Sequence, residues 1–383
     1  MLRFLDGGES HGKALVAIIE GFPANFEVDL DFINKNLLLR QSGYGRGGRQ
    51  KIERDRVEIL SGVRFSKTLA SPITMLIPNK DYENWQNVMA VFGEKSHKKR
   101  VTKPRPGHAD LAGYLKYNFD DMRNVLERSS ARNTAIRVAV GSLCEQALEK
   151  LGIKLVGFVE AIGKIKANID YNDNEIEKKT LKSPVFCPDE SATFEMIAEI
   201  EKTKLKGDTL GGVVVVMAKG VPAGLGSYVF YDRRLDGRLA MALMSIQAVK
   251  AVEIGDGIKN AFLTGSEVHD EIIYENGQYK RLSNRAGGIE GGMSNGEDII
   301  VKAYMKPIPT LIKGLRSVDV LTKAKSIAAF ERSDVCATPA LSIVAKSAVA
   351  IELFNAVLEK FGNDDFEALK KAFLDYKESL KNR

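Results

Sequence analysis

Two of the four histidines sit on glycine-bearing turns, His11 in GESHG and His108 in PRPGHAD. Imidazole titrates near neutral pH, so a histidine in such a place can give or take a proton. Arginines gather in comparable stretches: Arg40, then Arg46 and Arg49 in SGYGRGGRQK, then Arg128, Arg132 and Arg137 in LERSSARNTAIR. Guanidinium forks bind phosphate and carboxylate, often bidentately. Ser129 and Ser130 are placed to cap a helix beginning near Ala131, where free N–H groups favour an anion. AGGIEGGMSNG (286–296) offers bare backbone N–H groups, and KPIPT (Lys306, Pro307, Ile308, Pro309, Thr310) sets a cation on a stiff loop. Arg332 and Asp334 pair a fork donor with a carboxylate. Together these residues suit highly anionic ligands and acid–base chemistry.

Each motif also has a plainer reading. GESHG matches the G-x-S-x-G nucleophile elbow, but only seven residues precede it and a strand-like KALVAIIEG follows, where the elbow needs a helix. A serine hydrolase using Ser10 is therefore a weak alternative. GYGRGG matches GxGxxG, yet it follows a helix-like segment rather than a strand. A solvated basic loop competes there with anion capture. The basic loop 95–105 raises nucleic-acid binding, but it lacks interleaved aromatic residues and the other cations are tied to glycine turns. His97 and His269 are read as having no role.

The 383 residues carry a net charge of +6, with 44% hydrophobic and 28% charged residues, ordinary values for a soluble globular chain. Cys144, Cys187 and Cys336 are far apart, with no metal-ligand spacing among cysteines and histidines. This predicts reduced thiols, no metal and a cytoplasmic protein. No signal peptide is expected, because Asp6, Glu9 and His11 interrupt the start. The longest apolar run, near 338–354, is broken by Lys346 and Glu352, so no membrane span is expected.

The elements that position these residues read as follows. Two short strands flank GGESHG, and a helix covers 29–40. VEILSGV and PITMLIP are strands, and 94–107 is a surface loop. Helices are predicted over 109–119 and, in amphipathic form, over about 131–151, closed by Gly152. Residues 153–163 and the β-branched run 211–219 read as buried strands. Helices fit 191–204 and 235–252, and IIVKAYM is a strand leading into KPIPT. Thr338 is placed as N-cap of a helix with Pro339 at its first position and Gly362 at its end. A charged amphipathic helix follows over 364–382. The interleaving favours one large α/β or α+β domain over separable modules.

GESHG, RQSGYGRGGRQKIERD, SPITMLIPNKDYENW, RPGHADLAGYLKY, LERSSARNTAIRVAVG, GLGSYVFYDRRLDGRLAMALMSIQAVKAVEIGDG, AGGIEGGMSNG, KPIPT and ERSDVCATPA resemble the chorismate synthase family, in order, from residue 3 to about 362. The resemblance implies an α+β fold: a single-domain β-α-β sandwich of antiparallel sheets with helices, spanning 1–383 and assembling as a homotetramer. It implies conversion of 5-enolpyruvylshikimate 3-phosphate to chorismate and phosphate, with reduced FMN and no net redox change. His11 then corresponds to a general acid for the departing phosphate and His108 to a histidine that protonates or balances the reduced flavin. Asp334 corresponds to an aspartate that helps flavin N5 accept the C6 hydrogen. Arg40 and Arg46 match substrate-anion positions, also associated with reduced nicotinamide nucleotide, and Arg49, Arg132 and Arg332 join that clamp. Flavin contacts fall on Arg128, Ser129, Ser130, Gln247, Ala248, Gly291, Lys306 to Thr310, and Arg332. Reduced FMN is expected from an external flavin reductase, the alternative being a bifunctional form that reduces FMN with NADPH. The chain departs from the family pattern at LDGGESHG, where LTAGESHG is commoner, and at Asn133, where many members carry glutamate. Asn133 is expected to weaken a salt bridge near Arg132.

Overall fold

Alternating apolar residues make RFLDG and ALVAIIE into a hairpin, β1 (Arg3–Gly7) and β2 (Ala14–Glu20), with Leu15, Ala17 and Ile19 fully buried on one face. The computed structural model describes residues 1–47, 54–94, 96–275, 277–331 and 333–381. Arg49 and Arg332 lie outside the described residues. Asp29 caps α1 (Leu30–Gln41) by accepting from the Phe32 N–H at 3.0 Å. With β3 (Glu58–Ser61) and β4 (Ile73–Pro78), the hairpin forms a four-stranded antiparallel sheet in the order β1-β2-β4-β3.

Three helices follow: α2 (Asp110–Lys116), α3 (Arg123–Ser129) and α4 (Thr134–Lys150). A second antiparallel sheet holds β5 (Lys154–Ile162), β6 (Ile165–Lys166), β7 (Gly212–Lys219), β8 (Val249–Ile254) and β9 (Ile299–Met305), in the order β8-β9-β7-β5-β6. The remaining long helices are α5 (Glu190–Leu205), α6 (Leu235–Met244), α7 (Thr338–Phe361) and α8 (Phe366–Lys381). The α4 helix packs on β2 and β4 and, on its other side, on α7, which packs in turn on β5 and β7. Helices therefore separate two antiparallel sheets, the α+β sandwich that the family resemblance implies. One contiguous apolar core runs through both sheets and the helices between them.

Several local expectations change. The helix expected over 235–252 stops at Met244; Ala248 takes φ +69°, the chain reverses, and 249–254 becomes the edge strand β8. The α4 helix is buried on nearly all sides, 14 of its 17 residues, because it lies between a sheet and α7. It begins at Thr134, after a 3-10 turn over Ala131–Asn133. Ser130 caps that turn by accepting from the Arg132 N–H, whereas Ser129 closes α3 and caps nothing. Thr338 is the first residue of α7 rather than its cap, and its hydroxyl accepts from Cys336 Sγ. The loop 94–107 buries Val101 and Arg105, with Val101 in a small apolar cluster with Met122, Leu126 and Val320. At 24 residues α7 is long and apolar enough to cross a membrane despite Lys346 and Glu352, yet 83% of its most apolar window is buried inside the protein.

Candidate active site

His11 sits in the turn between β1 and β2. Its Nδ1 lies 2.9 Å from Oε1 of Glu127 on α3, and its backbone N–H donates to Oε2 of the same carboxylate at 2.7 Å. The imidazole stacks on Trp85 with ring centroids 3.8 Å apart. Burial alone would raise the Glu127 carboxyl, but the hydrogen bonds and charge of His11, with Arg123, hold it below the usual carboxylate range. Arg123 lies 3.4 Å from Glu127 and bridges to Glu331 at 2.7 Å.

His108 repeats the arrangement. Its Nδ1 is 2.6 Å from Oδ1 of the fully buried Asp110, at the start of α2. Arg105 donates through Nε and Nη2 to both oxygens of Asp110, at 2.8 and 3.0 Å, and its Nη2 also touches the His108 ring. Desolvation opposes ionisation of Asp110, and the bonds from His108 and Arg105 overcome it, holding the carboxyl well below the usual range. Arg105 reaches Thr310 Oγ1 at 2.9 Å, and Lys306 Nζ donates to the Gly107 carbonyl, so KPIPT packs against the turn that carries His108. The Lys306 backbone N–H donates to the Ala248 carbonyl at 3.0 Å, which adds the 245–248 turn to this side.

The arginines do not stand as bare cations. Arg132 grips Asp55 with Nη1 at 2.7 and 2.6 Å and reaches Asn79 Oδ1 with Nε at 2.9 Å. Arg40 lies in the last turn of α1, within the helix expected there, 3.7 Å from the same Asp55. Burial pulls its pKa down to about 9, with Asp55 opposing and Arg132 adding to the fall, so it keeps its charge at neutral pH. Arg46 pairs with Asp334 at 2.9 Å, and the Gly47 N–H donates to the other Asp334 oxygen at 2.6 Å. Asp334 thus meets an arginine far from it in the sequence. Arg128 pairs with Asp6, which also binds Arg137 at 2.7 Å. Asn133 donates to Asp6 and accepts from Arg128, so its influence falls on Arg128 and not on Arg132. Both departures from the family pattern therefore lie in one cluster.

Two sets of the expected residues come together. His11, Arg132 and Arg40 are joined through Asn79 and Asp55, with Arg46 and Asp334 contributing to the charge felt by Arg40. His108, Lys306, Thr310 and Ala248 form the second set. Gly291 is apart: its hairpin (289–294) packs near Arg234, ahead of α6, whereas Gln247 follows that helix, about 15 Å further along its axis. Sequence reasoning passed over Glu127, Asp110, Asp55, Asn79 and Trp85, although all lie within the motifs quoted. The strongest signal for them was an aspartate two residues after His108.

Ser129 Oγ and Gln247 Oε1 are buried without hydrogen-bond partners among the described residues, as is Arg46 Nε. Orphaned buried polar atoms call for a partner. Ser129 and Gln247 stand where the resemblance puts flavin contacts, and their open oxygens suit a polar cofactor; Arg46 stands at a substrate-anion position.

Histidines held by buried carboxylates, with paired arginines near one of them, are groups that could serve the expulsion of an anionic group. The family model described as chorismate synthase matches residues 2–358. A chorismate synthase of Sulfurihydrogenibium sp. (strain YO3AOP1) is 53% identical over 394 residues, covering 100% of each chain. One from Desulforamulus reducens is 55% identical over 375 residues, covering 97% of each. A crystal structure of chorismate synthase superposes with a TM-score of 0.81 at 42% identity, covering 100% of this chain and 99% of the other. The chain belongs to the chorismate synthase family and is a lyase.

Proposed function

We propose that the chain catalyses the anti-1,4-elimination of phosphate and a C6 hydrogen from 5-enolpyruvylshikimate 3-phosphate, giving chorismate, the last step of the shikimate pathway. The observation that carries this reading is Asn79. Its amide donates to the carbonyls of Glu9 and Gly12, on either side of His11, while its oxygen accepts from Arg132. A phosphate held by Arg132 is thereby brought to a proton donor. Arg40, Arg46, Arg132 and, from the resemblance, Arg49 and Arg332 hold the substrate's phosphate and carboxylates. His11 gives a proton to the departing phosphate, which lowers the charge that must leave. His108, anchored by Asp110, places a proton or positive charge on the side of the site formed by KPIPT. Asp334 keeps its carboxylate within the arginine bed.

Reduced FMN, when bound, supplies electron density for an elimination that side chains cannot drive alone, with no net redox change. Arg128, Ser129, Ser130, Gln247, Ala248, Gly291, Lys306 to Thr310 and Arg332 are the residues to hold it, and the orphaned Ser129 and Gln247 oxygens support that placement. We read residues 1–383 as one cytoplasmic domain working as a homotetramer. Tyr228, Val229, Phe230 and Tyr231, at 57–75% exposure, give it an apolar surface that association would cover. Sedimentation at micromolar protein tests that assembly.

The test of function is an anaerobic assay with two arms. Reduced FMN with the enolpyruvyl substrate is expected to give chorismate and phosphate. Oxidised FMN with NADPH is expected to give none, since the reductant comes from an external flavin reductase. Turnover in the second arm would instead establish the bifunctional form, and no turnover in the first would refute the proposed reaction.

A further inference from the structure

We infer that Glu127 is the positioning residue for His11, holding its imidazole in the Nδ1–H tautomer so that proton exchange with the ligand occurs at Nε2 alone. The inference rests on His11 being the proton donor to the phosphate, and its own readout does not depend on turnover.

The geometry is specific to one tautomer. Glu127 lies on α3, 116 residues from His11, and its side chain is 1% exposed. Oε1 stands 2.9 Å from Nδ1, while Oε2 accepts the His11 backbone N–H at 2.7 Å. The Glu127 carbonyl accepts the Ser10 N–H at 2.9 Å. One residue therefore fixes both the turn that carries His11 and the edge of its ring. An ionised carboxylate only accepts hydrogen bonds, so the ring nitrogen facing it must carry the hydrogen. Trp85, stacked 3.8 Å away, keeps the ring in the plane in which Nδ1 meets Glu127. Arg123 holds Glu127 from behind and reaches Glu331, three residues before Asp334. The orientation of His11 is thus tied to the loop that carries Asp334.

The consequence is directional. After His11 gives up its Nε2 proton, the neutral ring keeps hydrogen on Nδ1, and Nε2 is ready to be reprotonated. Without the carboxylate the Nε2–H tautomer competes, and a wrong tautomer can cost several orders of magnitude in rate even when geometry survives.

The chain has only four histidines, so nitrogen-15 histidine labelling gives a resolvable NMR spectrum. In the full-length protein neutral His11 is expected as the Nδ1–H tautomer, a measurement that needs no variant. Glu127→Gln should populate Nε2–H and lower kcat on the order of 10²-fold or more, with KM little changed. Glu127→Asp, which keeps a carboxylate, should recover part of both. An Nε2–H tautomer in the unmodified protein overturns the inference, as does a tautomer shift in Glu127→Gln with unchanged kcat. Full turnover by His11→Ala would instead remove His11 as the donor, and the tautomer measurement would still report on Glu127.

Discussion

At the scale of the residue, both histidines share one construction: an arginine holds a buried carboxylate, and the carboxylate holds Nδ1. Arg123 and Glu127 serve His11, and Arg105 and Asp110 serve His108. Each carboxyl is held below its ordinary range, so each stabilises the folded state only while ionised. For Asp110 the contribution is fully present above the unfolded aspartate value of about 3.9 and is lost as pH falls from there through the lower folded value. Asp110→Asn should therefore lower the urea midpoint at pH 7, and the gap from the parent protein should narrow as pH falls below about 4. A gap independent of pH would show that ionised Asp110 adds nothing. The histidines were legible in the sequence because they stand on glycine turns, and the arginines because their type is distinctive and they gather in short stretches. Most of their counter-ions were not. Glu127 lies 116 residues from His11 and Asp55 lies 77 from Arg132, separations that no local pattern reports.

At the scale of the element, α7 is placed by two close approaches. A Cβ on Gly141 of α4 would stand 2.5 Å from both the Cβ and the carbonyl oxygen of Ser347, and one on Gly157 of β5 would stand 2.5 Å from the Ser342 carbonyl. Glycine at both positions lets α7 lie flush between α4 and the second sheet. Asp334 is four residues ahead of α7, so the seating of this helix helps set where Asp334 meets Arg46. Gly141→Val should push α4 and α7 apart and destabilise the fold by about 1–3 kcal/mol, read as a lower urea midpoint with far-UV circular dichroism kept. An unchanged midpoint would show that the contact is slack. Periodicity found nearly every long element and misjudged one end badly. Residues 245–252 continue a helical pattern on paper, and the reversal at Ala248, a non-glycine residue at φ +69°, has no compositional mark. That reversal is what brings Ala248 against Lys306.

At the scale of the whole molecule, the two sets of candidate site residues draw on both sheets. His11 comes from the turn between β1 and β2 of the first sheet, and His108 is tied to KPIPT at the end of β9 in the second. Asp334 arrives just before the helix between them. Composition and periodicity could not reveal this layering, because β7 pairs with β5 and β9 across long stretches of chain, as Val216 with Gly157 and Val301 shows. The family resemblance did reveal it, since motif order carries topology that local pattern does not. The division of labour between the two histidines is the claim most exposed to experiment. Phosphate release can be followed over a single turnover by rapid quench, anaerobically, with saturating 5-enolpyruvylshikimate 3-phosphate and reduced FMN, in the parent protein and in His11→Ala. If His11 protonates the departing phosphate, release should slow on the order of 10²–10⁴-fold while ligand binding stays near the parent value; release at the parent rate would contradict that role.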